Sequence, residues 1–160
     1  MLTTAFTDLV GCQVPIQQAG MGGVATPELA AAVADAGGLG MVSMVLQPAD
    51  AVAAGLEALA KQTRGEVGIN FLMPLLDPEA VDAAASRVRV VEFFYADPDA
   101  ALADRVHEGG ALAAWQVGSS AEARAAVDAG CDFIVAQGTE AGGHVRGRAR
   151  ARAGEPAAAP

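Results

Sequence analysis

The sequence predicts an α/β protein built from repeated strand–helix units, and three observations lead to this fold class. Short apolar runs alternate with alanine-rich helical segments along the 160 residues. The runs begin roughly every 21–28 residues, a spacing typical of βα units. They are almost continuously apolar, as expected for parallel strands that are covered on both faces. Because aromatic residues make up only 4% of the chain, we expect a core built from Ala, Val, Leu, Ile and Met.

Six apolar runs are the predicted strands. In chain order they are Val14–Ala19, Leu39–Met44, Val67–Leu72, Val90–Ala96, Ala111–Val117 and Phe133–Ala136.

The predicted helices begin at recognisable capping sequences. At Thr26–Glu28, Asp77–Glu79 and Asp97–Asp99, a capping oxygen is followed by proline and then by an acidic residue. Proline costs little at the first helical position because its missing N–H would be unpaired there anyway. The acidic residue lies near the positive end of the helix dipole. Ser119 begins a further helix without proline.

Two architectures are compatible with six such units. One is an open, doubly wound sheet, and the other is a (β/α)₈ TIM barrel that is incomplete. A doubly wound nucleotide-binding fold usually has a Gly-x-Gly-x-x-Gly turn after its first strand, and the turn Gly20–Gly23 lacks that spacing. A barrel needs at least about 200 residues, so a barrel of this chain would lack strands 7 and 8.

The composition limits the kinds of binding partner and the cellular location that we expect for the protein. A net charge of −9 argues against nucleic acid as a partner. The sequence shows neither a signal-peptide pattern nor an apolar stretch long enough to span a membrane, so we expect a soluble, cytoplasmic protein. Cys12 and Cys131 lie far apart in sequence and are expected to be free thiols.

The charge is unevenly distributed and divides the chain into two parts. Residues 1–144 have a net charge of −12 and contain all the predicted strands and helices, so they form the predicted barrel domain. Residues 145–160 have a net charge of +3 and consist mostly of Arg, Ala, Gly and Pro. With a single large apolar residue, this tail cannot bury enough surface to offset its ordering entropy, and we expect it to be disordered.

Polar residues and glycines gather where the predicted strands end. They are found in the turn Gly20–Gly23, at Asn70 and Gln116, and in the segment Gln137–His144. In parallel α/β folds the carboxyl ends of the strands form the face that binds ligands. Glycines let the backbone approach a ligand closely, and histidine suits proton transfer near neutral pH. Together these residues predict a ligand site at this face.

The same segments carry a family resemblance. The chain resembles the nitronate monooxygenase (2-nitropropane dioxygenase-like) family from about residue 8 to residue 147, most specifically at Glu140–His144. The resemblance rests on Pro15–Val24, Gly68–Phe71, Trp115–Ser119 and Ala136–His144.

This resemblance implies an FMN-dependent (β/α)₈ barrel that oxidises alkyl nitronates with O₂. It implies that the backbone of one glycine-rich turn lies against the isoalloxazine, at Met21, Gly22 and Gly23. It implies hydrogen bonds to the flavin from three amide side chains, those of Asn70, Gln116 and Gln137. Two further glycines, Gly142 and Gly143, would shape the wall beside the flavin, and His144 would be the catalytic residue.

The chain also departs from the family pattern. Family members continue past the histidine with two more strands, whose glycine-rich loops bind the FMN phosphate, and residues 145–160 supply nothing comparable. We therefore expect a C-terminally truncated form with open sheet edges that could pair with another copy. Two alternatives are an NAD(P)H-dependent enoyl-acyl carrier protein reductase, which shares much of the pattern, and an inactive fragment that acts only by association.

Overall fold

Parallel strands and α-helices alternate in the computed structural model, which describes residues 2–44, 46–143 and 145. In chain order the elements are α1 (Ala5–Val10), α2 (Pro27–Asp35), β1 (Gly40–Ser43), α3 (Ala49–Leu59), β2 (Val67–Leu72), a short 3₁₀ helix (Met73–Leu75), α4 (Pro78–Ala85), β3 (Val90–Phe94), α5 (Ala100–Glu108), β4 (Leu112–Val117), α6 (Ser120–Asp128) and β5 (Phe133–Ala136).

The five strands form one sheet in the order β1-β2-β3-β4-β5, and every neighbouring pair is parallel. Each strand therefore pairs with the next strand along the chain. A doubly wound sheet reverses its strand order at a switch point, whereas a barrel does not. The observed order is that of a barrel segment, and it excludes the doubly wound alternative for these strands.

The first predicted strand, Val14–Ala19, is not formed as a strand. It makes a single parallel bridge, from Gln17 to Leu39. Pro15 has no N–H to donate, and the N–H of Ile16 bonds the nearby carbonyl of Val14 instead of a neighbouring strand. The predicted six-stranded array is thus a five-stranded sheet with one extended segment beside β1.

The other strands match the prediction closely, and one shortened end has a clear cause. β3 stops at Phe94 instead of Ala96. Tyr95 has a φ of 80°, in the left-handed region, and this conformation breaks the extended backbone.

The outer face of the sheet packs against the helices and forms the main core. Phe71, Phe93 and Trp115 lie side by side on neighbouring strands, with ring centroids 6.3 Å and 4.8 Å apart. Trp115 is fully buried, and its indole N–H donates to the carbonyl of Ala96. The outer core is thus centred on three aromatic rings, although aromatic residues are few in the chain.

The inner face of the sheet changes character along the strands. Toward the amino ends of the strands it is apolar, and a second core cluster packs there against α1. This cluster consists of Val10, Cys12, Leu39, Met41, Val90 and Ala114. Farther along the strands, Asn70, Glu92 and Gln116 occupy the same face. The apolar end is covered by α1, and the polar end is left for a site.

The sheet is strongly curved, as one hydrogen bond shows. The Gln17 Nε2 atom lies 2.5 Å from Glu92 Oε2. The segment that contains Gln17 is separated from β3 by β1 and β2, which is about 14 Å in a flat sheet at about 4.8 Å per strand. The side chains can meet only because the sheet curls around its inner face, as in a barrel.

Helix α1 was not among the predicted helices. The side chains of Thr4 and Thr7 form a reciprocal capping box at its start. At its end, the Arg89 guanidinium donates to the carbonyls of Leu9 and Val10, at 2.5 Å and 2.8 Å. These contacts fix a six-residue helix that would be marginal alone.

The predicted helix starts are confirmed at Thr26, Asp77 and Ser119, whose side chains accept a backbone N–H. The prediction for Asp97–Asp99 was wrong in register. Asp99 is the capping residue there, because its carboxylate accepts from the Ala101 N–H at 2.9 Å.

Both cysteines are free, as expected. Burial raises the pKa of the Cys131 thiol to about 11, with a smaller contribution from the neighbouring Asp132 carboxylate. In the part of the chain that the structure describes, no helix is both long and apolar enough to cross a bilayer. The predicted tail, apart from Val145, lies outside the described residues.

Candidate functional site

An open cavity of about 980 Å³ lies at the carboxyl ends of the strands. Its volume is at the upper end of the range usual for small-molecule and cofactor sites. The lining residues are Ala19, Gly20, Met21, Gly22, Gly23, Asn70, Leu72, Pro74, Leu75, Phe94, Tyr95, Gln116, Gln137, Gly142 and Gly143.

The structure brings together every predicted site residue that it describes. All eight predicted cofactor-binding residues line this one cavity: Met21, Gly22, Gly23, Asn70, Gln116, Gln137, Gly142 and Gly143. The predicted catalytic residue, His144, lies outside the described residues. The segments that supply the eight residues are distant in sequence. They meet because each lies in or beyond the carboxyl half of a strand, or follows the extended segment beside β1, in the same curved sheet.

The glycines leave open space along the cavity wall. A Cβ atom built at Gly22 or Gly142 would meet no atom within 4 Å. Gly20 differs, since a Cβ there would lie 2.4 Å from the Cβ of Asn70. The turn therefore packs on Asn70 at one point and exposes bare backbone elsewhere, which suits the approach of a flat ring.

A buried carboxylate lies behind the cavity-lining amides. Glu92 is completely buried, and its Oε1 atom accepts from Asn70 Nδ2 at 2.8 Å and from Gln116 Nε2 at 2.6 Å. Its Oε2 atom accepts from Gln17 Nε2. Burial raises the pKa of the Glu92 carboxyl, and the three amide donors act in the opposite direction because they stabilise the charged form.

The sequence analysis did not single out Glu92, although a signal was present. Glu92 interrupts the apolar run Val90–Phe94. An isolated buried carboxylate is very costly, so a glutamate at the centre of a buried strand predicts partners. Its three partners come from three separate segments, and no local motif reveals them.

Tyr95 is a second lining residue that the sequence analysis missed. It combines a φ of 80° with a position at the cavity wall. A positive φ is strained for a bulky residue and is often retained at functional sites. Burial raises the pKa of the Tyr95 hydroxyl, so this group stays protonated at neutral pH.

The sequence matches the model of one known protein family. The family model described as nitronate monooxygenase matches residues 3–86 and 80–157. The chain belongs to the nitronate monooxygenase family. These matched segments include every residue that lines the cavity.

Among curated relatives, the chain is 34% identical over 145 residues to the (3aS,4S,5R,7aS)-5-hydroxy-7a-methyl-1-oxo-octahydro-1H-indene-4-carboxyl-CoA dehydrogenase of Mycobacterium tuberculosis. That alignment covers 89% of this chain and 41% of the relative. The chain is 29% identical over 184 residues to the nitronate monooxygenase of Pseudomonas aeruginosa, covering 89% of this chain and 52% of the relative. The chain thus spans about half the length of these relatives.

Solved structures show the same relation. FabK from Thermotoga maritima superposes with a TM-score of 0.83 at 32% identity, covering 91% of this chain and 47% of FabK. Nitroalkane oxidase from Streptomyces ansochromogenes superposes with a TM-score of 0.76 at 32% identity, covering 92% and 52%. Both are TIM-barrel enzymes, so the predicted fold class, an incomplete (β/α)₈ barrel, is confirmed.

Proposed function

We propose that this chain carries the flavin-facing half of an FMN-dependent oxidoreductase. The observation that supports this proposal is the convergence of all eight predicted flavin-binding residues that the structure describes on one cavity. The cavity offers bare glycine backbone on one wall and amide side chains on another. A flat, polar-edged isoalloxazine needs both kinds of surface.

In this proposal the flavin supplies the redox chemistry and the protein positions it. The turn Met21–Gly23 lies against the ring, and Asn70, Gln116 and Gln137 bond its polar edge. Gly142 and Gly143 carry no side chains on the facing wall, so the ring has room to enter the cavity. His144 would hold the anionic substrate or accept its proton.

For the reaction, we propose oxidation of an alkyl nitronate with O₂, as in the family to which the chain belongs. A nitronate is an anion, and a histidine such as His144, which follows the cavity-lining Gly143 in the chain, can stabilise one by hydrogen bonding or by charge. The Pseudomonas aeruginosa nitronate monooxygenase is a longer protein, since the alignment covers 52% of it and 89% of this chain.

A second candidate is dehydrogenation of a cyclic carboxyl-CoA compound. It is favoured by the identity of 34% to the Mycobacterium tuberculosis dehydrogenase, against 29% to the Pseudomonas aeruginosa nitronate monooxygenase. Both reactions remove electrons from a substrate, and both can use the same flavin cavity. An NAD(P)H-dependent enoyl reduction is the third possibility to be tested beside them.

Titration of the purified 160-residue chain with FMN tests the cofactor proposal. We expect a dissociation constant in the micromolar range or tighter, followed by flavin fluorescence, with a defined mass in size-exclusion chromatography. Three assays then separate the reactions: nitronate-dependent O₂ uptake, acyl-CoA-dependent reduction of an artificial acceptor, and bleaching of the flavin by NAD(P)H. A folded protein that does not bind FMN would refute the proposal.

Replacement of His144 tests the catalytic assignment. We expect H144A to bind FMN normally and to lower substrate turnover by about 10²-fold or more, the usual contribution of a general base. H107Q is a matched control. His107 lies on α5, its Nε2 atom is 2.9 Å from Asp132 Oδ2, and it does not line the cavity. Full turnover in H144A would disprove the assignment.

A further inference from the structure

We propose that Glu92 is a positioning residue, which turns the carboxamides of Asn70 and Gln116 so that their carbonyl oxygens face the cavity and select a ligand with an N–H donor. This inference rests on the proposed flavin function and adds a residue outside the resemblance. Glu92 does not line the cavity, whereas both of its amide partners do.

The orientation follows from the chemistry of the Oε1 atom. An ionised carboxylate only accepts hydrogen bonds. Since Asn70 and Gln116 both approach Glu92 Oε1 at hydrogen-bond distance, each must present its NH₂ group to it. The carbonyl oxygen of each amide then points away from Glu92.

The orientation also holds for a neutral Glu92 whose proton is on Oε2, the oxygen that faces Gln17. Protonation at Oε2 leaves Oε1 as an acceptor for both cavity amides. Only Gln17, which bonds Oε2, would have to rotate its amide to accept the new proton. Because Gln17 does not line the cavity, its rotation leaves the cavity surface unchanged.

This orientation of the two amides restricts which ligands bind tightly. Two carbonyl oxygens held in fixed directions favour a partner that donates, and an unpaired buried acceptor lowers affinity for one that does not. The oxidised isoalloxazine has one ring N–H, at N3, and its other polar ring atoms are acceptors. We therefore expect the cavity to distinguish FMN from an FMN analogue methylated at N3.

The test compares the dissociation constants of FMN and of N3-methyl-FMN in the wild type and two variants. We expect the wild type to bind FMN at least tenfold more tightly than the analogue. In E92M, which removes the acceptor at similar length, both amides are free to rotate and the ratio falls toward one. In E92Q, whose carbonyl replaces Oε1, the ratio stays near the wild-type value.

The exposed residue Glu108 supplies the matched control, E108M, in which the ratio should not change. If E92M weakens both ligands by the same factor, Glu92 has only a structural role and the inference is wrong. If the wild type binds FMN and its analogue equally, the inference fails while the proposed function stands.

A second measurement needs no ligand and no disruptive variant. In ¹⁵N NMR spectra of the wild-type protein, the side-chain NH₂ groups of Asn70 and Gln116 should exchange slowly with solvent, and they should also do so in E92Q. This result would support the orientation even if FMN failed to bind, which would refute the proposed function alone. Rapid exchange of both groups would overturn the inference.

Discussion

At the scale of single residues, the most consequential side chain is Glu92. It is completely buried, and the three groups that bond it are neutral amides from Gln17, Asn70 and Gln116. Neutral donors offset part of the cost of burying a charge, and the pKa of the carboxyl remains raised by burial.

This raised pKa gives a prediction about stability and pH. The ordinary pKa of glutamate is 4.5. The folded state holds its proton more tightly than the unfolded state, so the contribution of Glu92 to stability is full below pH 4.5 and decreases as pH rises through the folded-state pKa. As pH rises above 4.5, the free energy of unfolding of the wild type, measured by urea denaturation, should therefore fall relative to that of E92Q. A constant difference between the two proteins would contradict the prediction.

At the scale of elements, close contacts between strands and helices depend on glycine. A Cβ atom at Gly40, the first residue of β1, would lie 2.0 Å from the carbonyl oxygen of Ala30 in α2. At Gly65 it would lie 2.3 Å from the carbonyl oxygen of Ala34 in the same helix. Backbone atoms cannot shift as the ends of flexible side chains can. Helix α2 can therefore lie this close only because Gly40 and Gly65 have no side chain.

A pair of identical substitutions tests this view. G40A should lower the free energy of unfolding by about 3 kcal/mol or more, since overpacking against backbone is costly. G22A places the same methyl group in open space, so its unfolding curve should match that of the wild type while its affinity for FMN decreases. Equal unfolding midpoints for both variants would show that the contact at Gly40 is not tight.

At the scale of the whole molecule, the sheet has an open edge among the described residues. β5 pairs with β4 on one side, and its residues Phe133–Val135 are only half-buried. On the neighbouring helix α6, Val127 is 65% exposed. An exposed edge with apolar residues nearby favours pairing with another chain.

We therefore expect the purified 160-residue chain to associate as its concentration rises, in sedimentation velocity experiments. V127K should weaken the association, because it places a charge beside the open edge. A54K adds the same charge on the exposed face of α3, away from β5, and should leave the association unchanged. A monomer at every concentration would contradict the prediction.

How far the sequence predicts this molecule depends on how local each feature is. β2 and β5 form with the predicted bounds because each is a short run in which most residues are apolar. The segment Val14–Ala19 was also predicted as a strand, but Pro15 and a local turn leave it a single bridge. The capping prediction failed at Asp97 because Asp99, two residues later, offers an equally good carboxylate.

The site shows the same division. Glycines and amides at strand ends are visible in the sequence, and the structure places them on one cavity. No local sequence motif reveals the role of Glu92, because its hydrogen-bond partners lie 75, 22 and 24 residues away in the chain. Sequence reasoning locates polar residues by their place in the strand–helix repeat, and it misses a hydrogen-bond network that exists only after the sheet has curled.

The hydrogen bond between Gln17 and Glu92 also has a consequence for the order of folding. Each strand pairs with the next one in the chain, so the sheet can grow through contacts between adjacent units. The Gln17–Glu92 contact closes a loop of 75 residues, whose entropic cost is compensated only once the intervening strands are in place. Under this scheme the cavity is assembled late, and its cofactor would meet a finished sheet instead of guiding the strands together.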